Sequence, residues 1–240
     1  MVTEPFDELL TSLAAILCSA PDRINEVLLL PVECEVRQKN RDGQDVYGLR
    51  WWPAKGAEPM VKWIVPSMAG VVASAIAKIK RITFAARSVA LWYEKNPTKL
   101  YLPPDCEYLR GQEFLNSTEI GVVLYEGRID RNTALAWCKL NEVPLSKDGR
   151  RSVARFADIE RAVIGKLPRN FPYVSEEVGL KYSDALFVSR RNQCHSTKSA
   201  FNCLVDAITI DQVNSALGGR VEHGVSTIFK KHGFHEADGS

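Results

Sequence analysis

Ser19-Ala-Pro-Asp-Arg-Ile-Asn-Glu-Val-Leu-Leu-Leu30 decides how this chain is read. Pro21 and Asp22 suit the first turn of a helix, because proline has no amide proton to leave unpaired and aspartate favours the positive helix end. Ile24, Val27, Leu28 and Leu30 recur at helical spacing and are expected to face a core. Arg23 then stands where a guanidinium is held against that core and points outward. An arginine so placed can grip a phosphate through two parallel hydrogen bonds. By itself it reads equally as a surface arginine in a first helical turn, so its context has to decide.

Downstream, Glu33-Cys-Glu-Val-Arg37 alternates, Arg41-Asp-Gly-Gln-Asp45 carries the Asp-Gly signal of a tight turn, and Val46-Tyr-Gly-Leu-Arg-Trp-Trp52 is a second strand. A further turn, Pro53 to Pro59, leads into a third strand, Met60-Val-Lys-Trp-Ile-Val65, and Pro66-Ser67 opens a helix from about Met68. Lys55 therefore lies at a hairpin tip beside a glycine, where a flexible ammonium can reach into a neighbouring site.

This constellation resembles the catalytic domain of the tyrosine recombinase (phage integrase) family. The first active-site arginine of that family lies in an R-[IV]-S-E-[LV] box, matched here by Arg23-Ile-Asn-Glu-Val27 with Asn25 in place of serine. Its active-site lysine lies on a β-hairpin commonly reading G-K-G-x-K, matched by Lys55 in Ala54-Lys-Gly-Ala-Glu58, and Ile64-Val-Pro66 follows as in the family. The separation, 55 − 23 = 32 positions, is longer than usual, and the Arg41–Asp45 loop can absorb the excess. The resemblance implies tyrosine attack on a DNA phosphodiester to give a 3′-phosphotyrosine link. Arg23 would clamp the scissile phosphate and Lys55 would protonate the departing 5′ oxygen. Glu26 would hold Arg23 in place. No metal or other cofactor is implied.

The departures are as definite. The family's later H-x-x-R box is missing: His195 has Lys198 at +3, His223 has Ser226, His232 has His235 and His235 has Asp238. No tyrosine follows Tyr182, so the nucleophile cannot be assigned. The expectation is a C-terminally truncated catalytic domain, incompetent for strand cleavage by itself and monomeric in solution.

From Ser117 the chain reads Ser-Thr-Glu-Ile-Gly-Val-Val-Leu-Tyr-Glu-Gly127, then Arg-Ile-Asp-Arg-Asn-Thr-Ala-Leu-Ala-Trp-Cys138. Ser117 or Thr118 caps a short helix, and Asp130 caps a second with Ala134, Leu135 and Trp137 facing inward. Asp148-Gly-Arg-Arg151 is a basic turn, and Arg155-Phe-Ala-Asp-Ile-Glu160 begins a closing helix. Residues 117–168 resemble the excisionase-type or MerR-type winged helix-turn-helix. The second helix would present Arg131, Asn132 and Lys139 to DNA phosphates or base edges, with Arg150 and Arg151 on the basic turn. A helical hairpin inserted for packing or subunit contact fits the same pattern.

Between these segments, Met68, Val71, Val72, Ala75, Ile76 and Ile79 form an apolar stripe that Phe84, Val89, Trp92 and Tyr93 continue, as two helices or one bent helix. Leu100-Tyr-Leu-Pro-Pro104 reads as an extended linker. In the last third, Ala185–Val188 reads as a buried strand, Cys203–Ile208 as extended, and Thr209 or Asp211 as the cap of a helix ended by Gly218-Gly219. Ser226–His232 forms one more helix. The fold class expected is α+β and mainly helical: a partial tyrosine-recombinase catalytic fold with a three-stranded sheet and an inserted helix-turn-helix-like subdomain. The corresponding division is 1–103, 104–170 and 171–240.

Composition sets the remaining bounds. The 240 residues suffice for one large or two small domains, and a net charge of +2 gives no global argument for nucleic acid. Lys78, Lys80, Arg81 and Arg87 form one basic cluster, Lys147, Arg150, Arg151 and Arg155 a second, and Arg190, Arg191 and Lys198 a third; each reads first as a solvated face. The six cysteines show no C-x-x-C, and the Cys194-His195 and Cys203 spacing fits no standard zinc site, so reduced thiols in a cytoplasmic protein are expected. No signal peptide is visible, and the longest apolar region, Val61 to Trp92, is interrupted by five cations, which excludes a membrane span. The expected partner is double-stranded DNA, with other recombinase subunits implied by the resemblance and no small-molecule substrate. The alternatives are a DNA-binding regulator or excision factor of a mobile element working through the helix-turn-helix, and a non-functional remnant.

Overall fold

A computed structural model describes residues 4–20, 23–52, 58–127, 129–195, 198–217 and Ile228. Lys55 and its hairpin tip, Pro21-Asp22, Gly218-Gly219 and most of the Ser226–His232 segment lie outside the described residues.

Helix α1 (Pro5–Ser19) starts on a proline with Asp7 and Glu8 in its first turn, and it fully buries Leu9, Leu10, Leu13 and Ile16. The short helix α2 (Ile24–Leu28) follows with Arg23 as its N-cap residue, and Val27, Leu28 and Leu30 are buried as their spacing requires. Strands β1 (Glu35–Lys39), β2 (Asp45–Trp51) and β3 (Met60–Trp63) then form an antiparallel meander in the order β1-β2-β3. The turn between the first two is closed by Asn40, whose side-chain oxygen accepts from the amides of Asp42 and Gln44, and by Gly43 at φ +78°. Tyr47, Leu49 and Trp51 alternate onto the core face of β2 and are all buried.

Helix α3 (Pro66–Lys95) is one continuous helix of 30 residues, not two. Its buried stripe is Val72, Ala75, Ile76, Ile79, Thr83, Ala86, Val89, Ala90 and Tyr93. Two residues expected on that stripe lie off it: Val71 is 44% and Phe84 64% exposed. Each is next in sequence to a buried residue, Val72 or Thr83, and neighbours on a helix diverge by about 100°, so both cannot face one core. Thr83 takes the inward place because its hydroxyl donates to the Ile79 carbonyl at 2.9 Å and so carries no unpaired polar group inside.

The chain then runs through buried Leu100 and Leu102 and a 3-10 helix (Pro104–Gly111) into β4 (Phe114–Asn116), α4 (Ser117–Leu124), α5 (Arg131–Leu140), β5 (Leu145–Asp148), β6 (Arg151–Arg155) and α6 (Phe156–Ile164). The remaining pieces are the paired strands β7 (Tyr173–Ser175) and β8 (Leu180–Lys181), the antiparallel pair β9 (Val188–Arg190) and β10 (Val205–Ala207), and α7 (Ile210–Leu217). The molecule is thus α+β with small antiparallel sheets.

Its cores are arranged along α3. One gathers α1, α2, the meander and the first half of α3, with Leu186, Phe187 and α7 folded back onto them. The second half of α3 packs on Leu180, Tyr182, Val188 and Val205. Leu100, Leu102, α4, α5, α6 and the distant Phe201, Cys203 and Leu204 make a separate cluster. The buried Tyr93 hydroxyl ties these parts together, donating to the Cys203 carbonyl at 3.0 Å and accepting from the Tyr101 amide at 3.2 Å.

Two outcomes test this packing. A Cβ on Gly48 would lie 2.8 Å from the Lys62 carbonyl oxygen and from the Trp63 ring, so Gly48→Ala should cost about 1–3 kcal/mol, read as a lower denaturation midpoint with an unchanged denaturant slope. On β1, burial raises the Glu35 carboxyl, but hydrogen bonds from Lys80 and Tyr47 at 3.0 Å outweigh it and hold the carboxyl below its ordinary value of 4.5. A depressed folded-state value stabilises the protein above pH 4.5, and that contribution is lost as pH falls through the folded value. Lys80→Met should therefore flatten the acid limb of a stability-against-pH curve; an unchanged limb would contradict the pairing.

Candidate nucleic-acid interface

Residues 114–164 build strand, helix, helix, hairpin and helix, with the sheet ordered β4-β6-β5. The element order is that expected of a winged helix-turn-helix. Helix α4 is capped by Asn116, one residue before Ser117 and two before Thr118. The Asn116 side chain accepts from the amides of Thr118 and Glu119, while the Glu119 carboxylate accepts from the Asn116 amide at 2.7 Å, a complete capping box. Asp130 does occupy the N-cap position of α5, but its side chain makes no capping hydrogen bond. Ala134, Trp137 and Cys138 are buried against α4, and Leu135 is half-buried.

The sequence-predicted contact residues share one property. Arg131, Asn132 and Lys139 on α5, and Arg150 and Arg151 on the β5–β6 hairpin, are all exposed. Among the described residues no ion pair engages any of these four cations. Gly149 sits at the hairpin tip at φ +57°, and the backbone there turns sharply enough to project both arginines. Lys147 completes the hairpin, its ammonium donating to Ser152 at 3.2 Å. The acidic neighbours are Asp130, Glu142 and Asp148, all exposed as well.

A clasp from far along the chain closes the turn between α4 and α5. The Asn202 carboxamide nitrogen donates to the Val122 carbonyl at 3.0 Å and the Tyr125 carbonyl at 2.7 Å, and the Asn202 amide donates to the Leu124 carbonyl at 2.8 Å. These are carbonyls at a helix C-terminus, which lack partners within the helix. The Tyr125 and Phe201 rings lie 4.5 Å apart, and Arg190 pairs with Glu126 at 2.6 Å. Nothing local in the sequence announces this clasp.

Most members of the other two basic clusters make internal links. Arg81 pairs with Glu8 at 2.6 Å, Lys80 with Glu35, and Arg87 donates to the Lys80 carbonyl at 2.8 Å. Arg191 grips Asp206 through two hydrogen bonds of 2.9 and 2.7 Å. Lys80, Arg81, Arg87 and Arg191 are braces, while Lys78 and Lys198 of the same clusters are exposed.

At the N-terminal half, Arg23 is exposed at the N-cap of α2. Lys55 lies outside the described residues, so the structure does not place it relative to Arg23. Lys62 is the residue that sequence reasoning passed over: its ammonium lies 3.8 Å from Glu26, and 4.8 Å from the centroid of the Trp51 ring. Its signal was the pairing of a charged residue with the core-facing phase of a strand. The cysteines are all unpaired, and burial pushes the thiols of Cys34 and Cys203 up to about 12. Among the described residues no cluster of metal-ligating side chains occurs, and no helix is long and apolar enough to cross a membrane.

No family model, curated protein or solved structure matches this chain.

The clasp predicts a specific asymmetry. Asn202→Ala should lower stability by about 1–2 kcal/mol through two lost hydrogen bonds. The near-isosteric Asn202→Asp should not restore it, because a carboxylate cannot donate to carbonyls; urea denaturation of the two variants decides this.

Proposed function

We propose that this chain binds double-stranded DNA as part of a site-specific recombinase of the tyrosine class. On this reading the winged unit engages the duplex, and Arg23 meets a backbone phosphate. The observation that carries DNA binding is the exposure, on one helix and the adjoining hairpin, of Arg131, Asn132, Lys139, Arg150 and Arg151, whose cations take part in no ion pair among the described residues. Arginine and asparagine can read base edges by paired hydrogen bonds, while lysine and hairpin arginines neutralise phosphates. The recombinase class rests on the Arg23-Ile-Asn-Glu-Val27 box followed by a three-stranded meander and a long helix, in that order. In strand transfer by a complete recombinase, whose attacking tyrosine is not assigned in this chain, Arg23 would stabilise charge on the phosphoryl oxygens as the tyrosine oxygen bonds to phosphorus, and Lys55 would supply the proton to the departing 5′ oxygen.

A second reading, a DNA-binding regulator of a mobile element, is favoured by the same winged unit taken alone. Mobility-shift titrations on duplex DNA separate the two. Arg131→Ala with Lys139→Ala should weaken binding about tenfold or more, and Arg23→Ala should flatten the logarithmic salt dependence by about one unit. If the double variant abolishes binding while Arg23→Ala changes nothing, the regulator reading replaces the recombinase one. Undiminished binding by the double variant removes the winged unit from the interface.

A further inference from the structure

We propose that Lys62 is a second cation of the phosphate grip built around Arg23, taking a phosphodiester oxygen of duplex DNA; this rests on the recombinase reading above. Strand β3 is an edge strand, and Lys62 pairs in register with Leu49. Paired residues share a face, so Lys62 stands on the side of the sheet that carries buried Leu49 and Trp51. An ammonium on that face needs a reason.

Its surroundings supply two. Lys62 lies over the Trp51 ring, and it faces Glu26 of α2 at 3.8 Å, within ion-pair range but longer than a hydrogen bond. An inward lysine on an edge strand also discourages pairing with another chain. Bracing and edge protection together explain a stabilising lysine. They do not explain why the partner is Glu26. Arg23 is the N-cap of α2 and Glu26 its third residue, and the Glu26 amide donates to the Arg23 carbonyl at 2.9 Å, so the Lys62 ammonium faces the same short turn that begins at exposed Arg23. The Lys62 side chain is 30% exposed, so its head reaches solvent, and partial burial lowers its pKa. A four-carbon stem lets the same ammonium hold Glu26 in the free chain and a phosphate oxygen in the complex.

Salt titration of duplex binding by the whole chain, followed by fluorescence anisotropy, tests this. Each phosphate contact contributes about 0.9 to the logarithmic slope. Arg23→Ala and Lys62→Gln should each lower the slope by about that amount, their combination by about twice it, and Lys62→Arg should keep it. Glu26→Gln should tighten binding, and that gain should vanish in the Lys62→Gln background. This cycle keeps the inference testable through Lys62→Arg and Glu26→Gln even where Lys62→Gln unfolds. A lower melting temperature with an unchanged slope for Lys62→Gln, or a Glu26→Gln gain that survives without the ammonium, makes Lys62 a brace and overturns the inference alone. An unchanged slope for Arg23→Ala overturns the recombinase reading together with it.

Discussion

The buried stripe of α3 is the constraint on which the rest of the structure depends. Val72 to Ile79 close the N-terminal core, and Ala86 to Tyr93 close the core built by the last third of the chain. A helix of 30 residues is about 45 Å long, so one rigid rod carries both. At its far end the Tyr93 hydroxyl takes one hydrogen bond from the linker and gives one to the Cys203 carbonyl, 110 residues later. Immediately before Cys203 in the chain stand Phe201 and Asn202, the clasp on the helix-turn-helix. The winged unit is therefore seated on α3 through two connections, one preceding it in sequence and one following it. The α4–α5 pair is thus tied to the rest of the fold by contacts from both sides of it in sequence.

What the sequence discloses is what local physics encodes. The meander is legible because Asp42-Gly43 and the alternation of Tyr47, Leu49 and Trp51 are short-range signals. The helix pair is legible because Ile120, Val123, Ala134 and Trp137 keep helical spacing. Differences arise where several local solutions compete. Asn116, Ser117 and Thr118 are all good caps, and the spacing to Glu119 selects Asn116, since only it places the carboxylate at the third helical position. The same rule selects Thr209 over Asp211: the Thr209 hydroxyl accepts from the Gln212 amide at 3.2 Å, and the Gln212 side-chain oxygen accepts from the Thr209 amide at 2.9 Å. Pairings such as Arg190 with Glu126 and Asn202 with Val122 join residues 64 and 80 positions apart. No periodicity or motif carries that information, so the clasp and the arginine braces become visible only in three dimensions.

Long-range pairing of this kind changes what the net charge of +2 means. Charge beyond a Debye length of about 8–10 Å is screened, so a bound phosphate responds to its neighbours and not to the sum over the chain. Part of the positive charge is already committed: Lys80, Arg81, Arg110, Arg161, Lys181, Arg190 and Arg191 each face a carboxylate within 4.0 Å. Those pairs cancel locally and contribute no attractive field. Arg131, Lys139, Arg150 and Arg151 are not cancelled by any ion pair among the described residues, and they crowd onto one helix and one hairpin. A nearly neutral chain can thus carry a local excess of cations, since its 31 basic and 29 acidic residues need not be evenly spread. Composition alone makes such a protein look indifferent to nucleic acid. Sorting its cations into paired and unpaired sets places four of the unpaired ones, Arg131, Lys139, Arg150 and Arg151, on α5 and the β5–β6 hairpin.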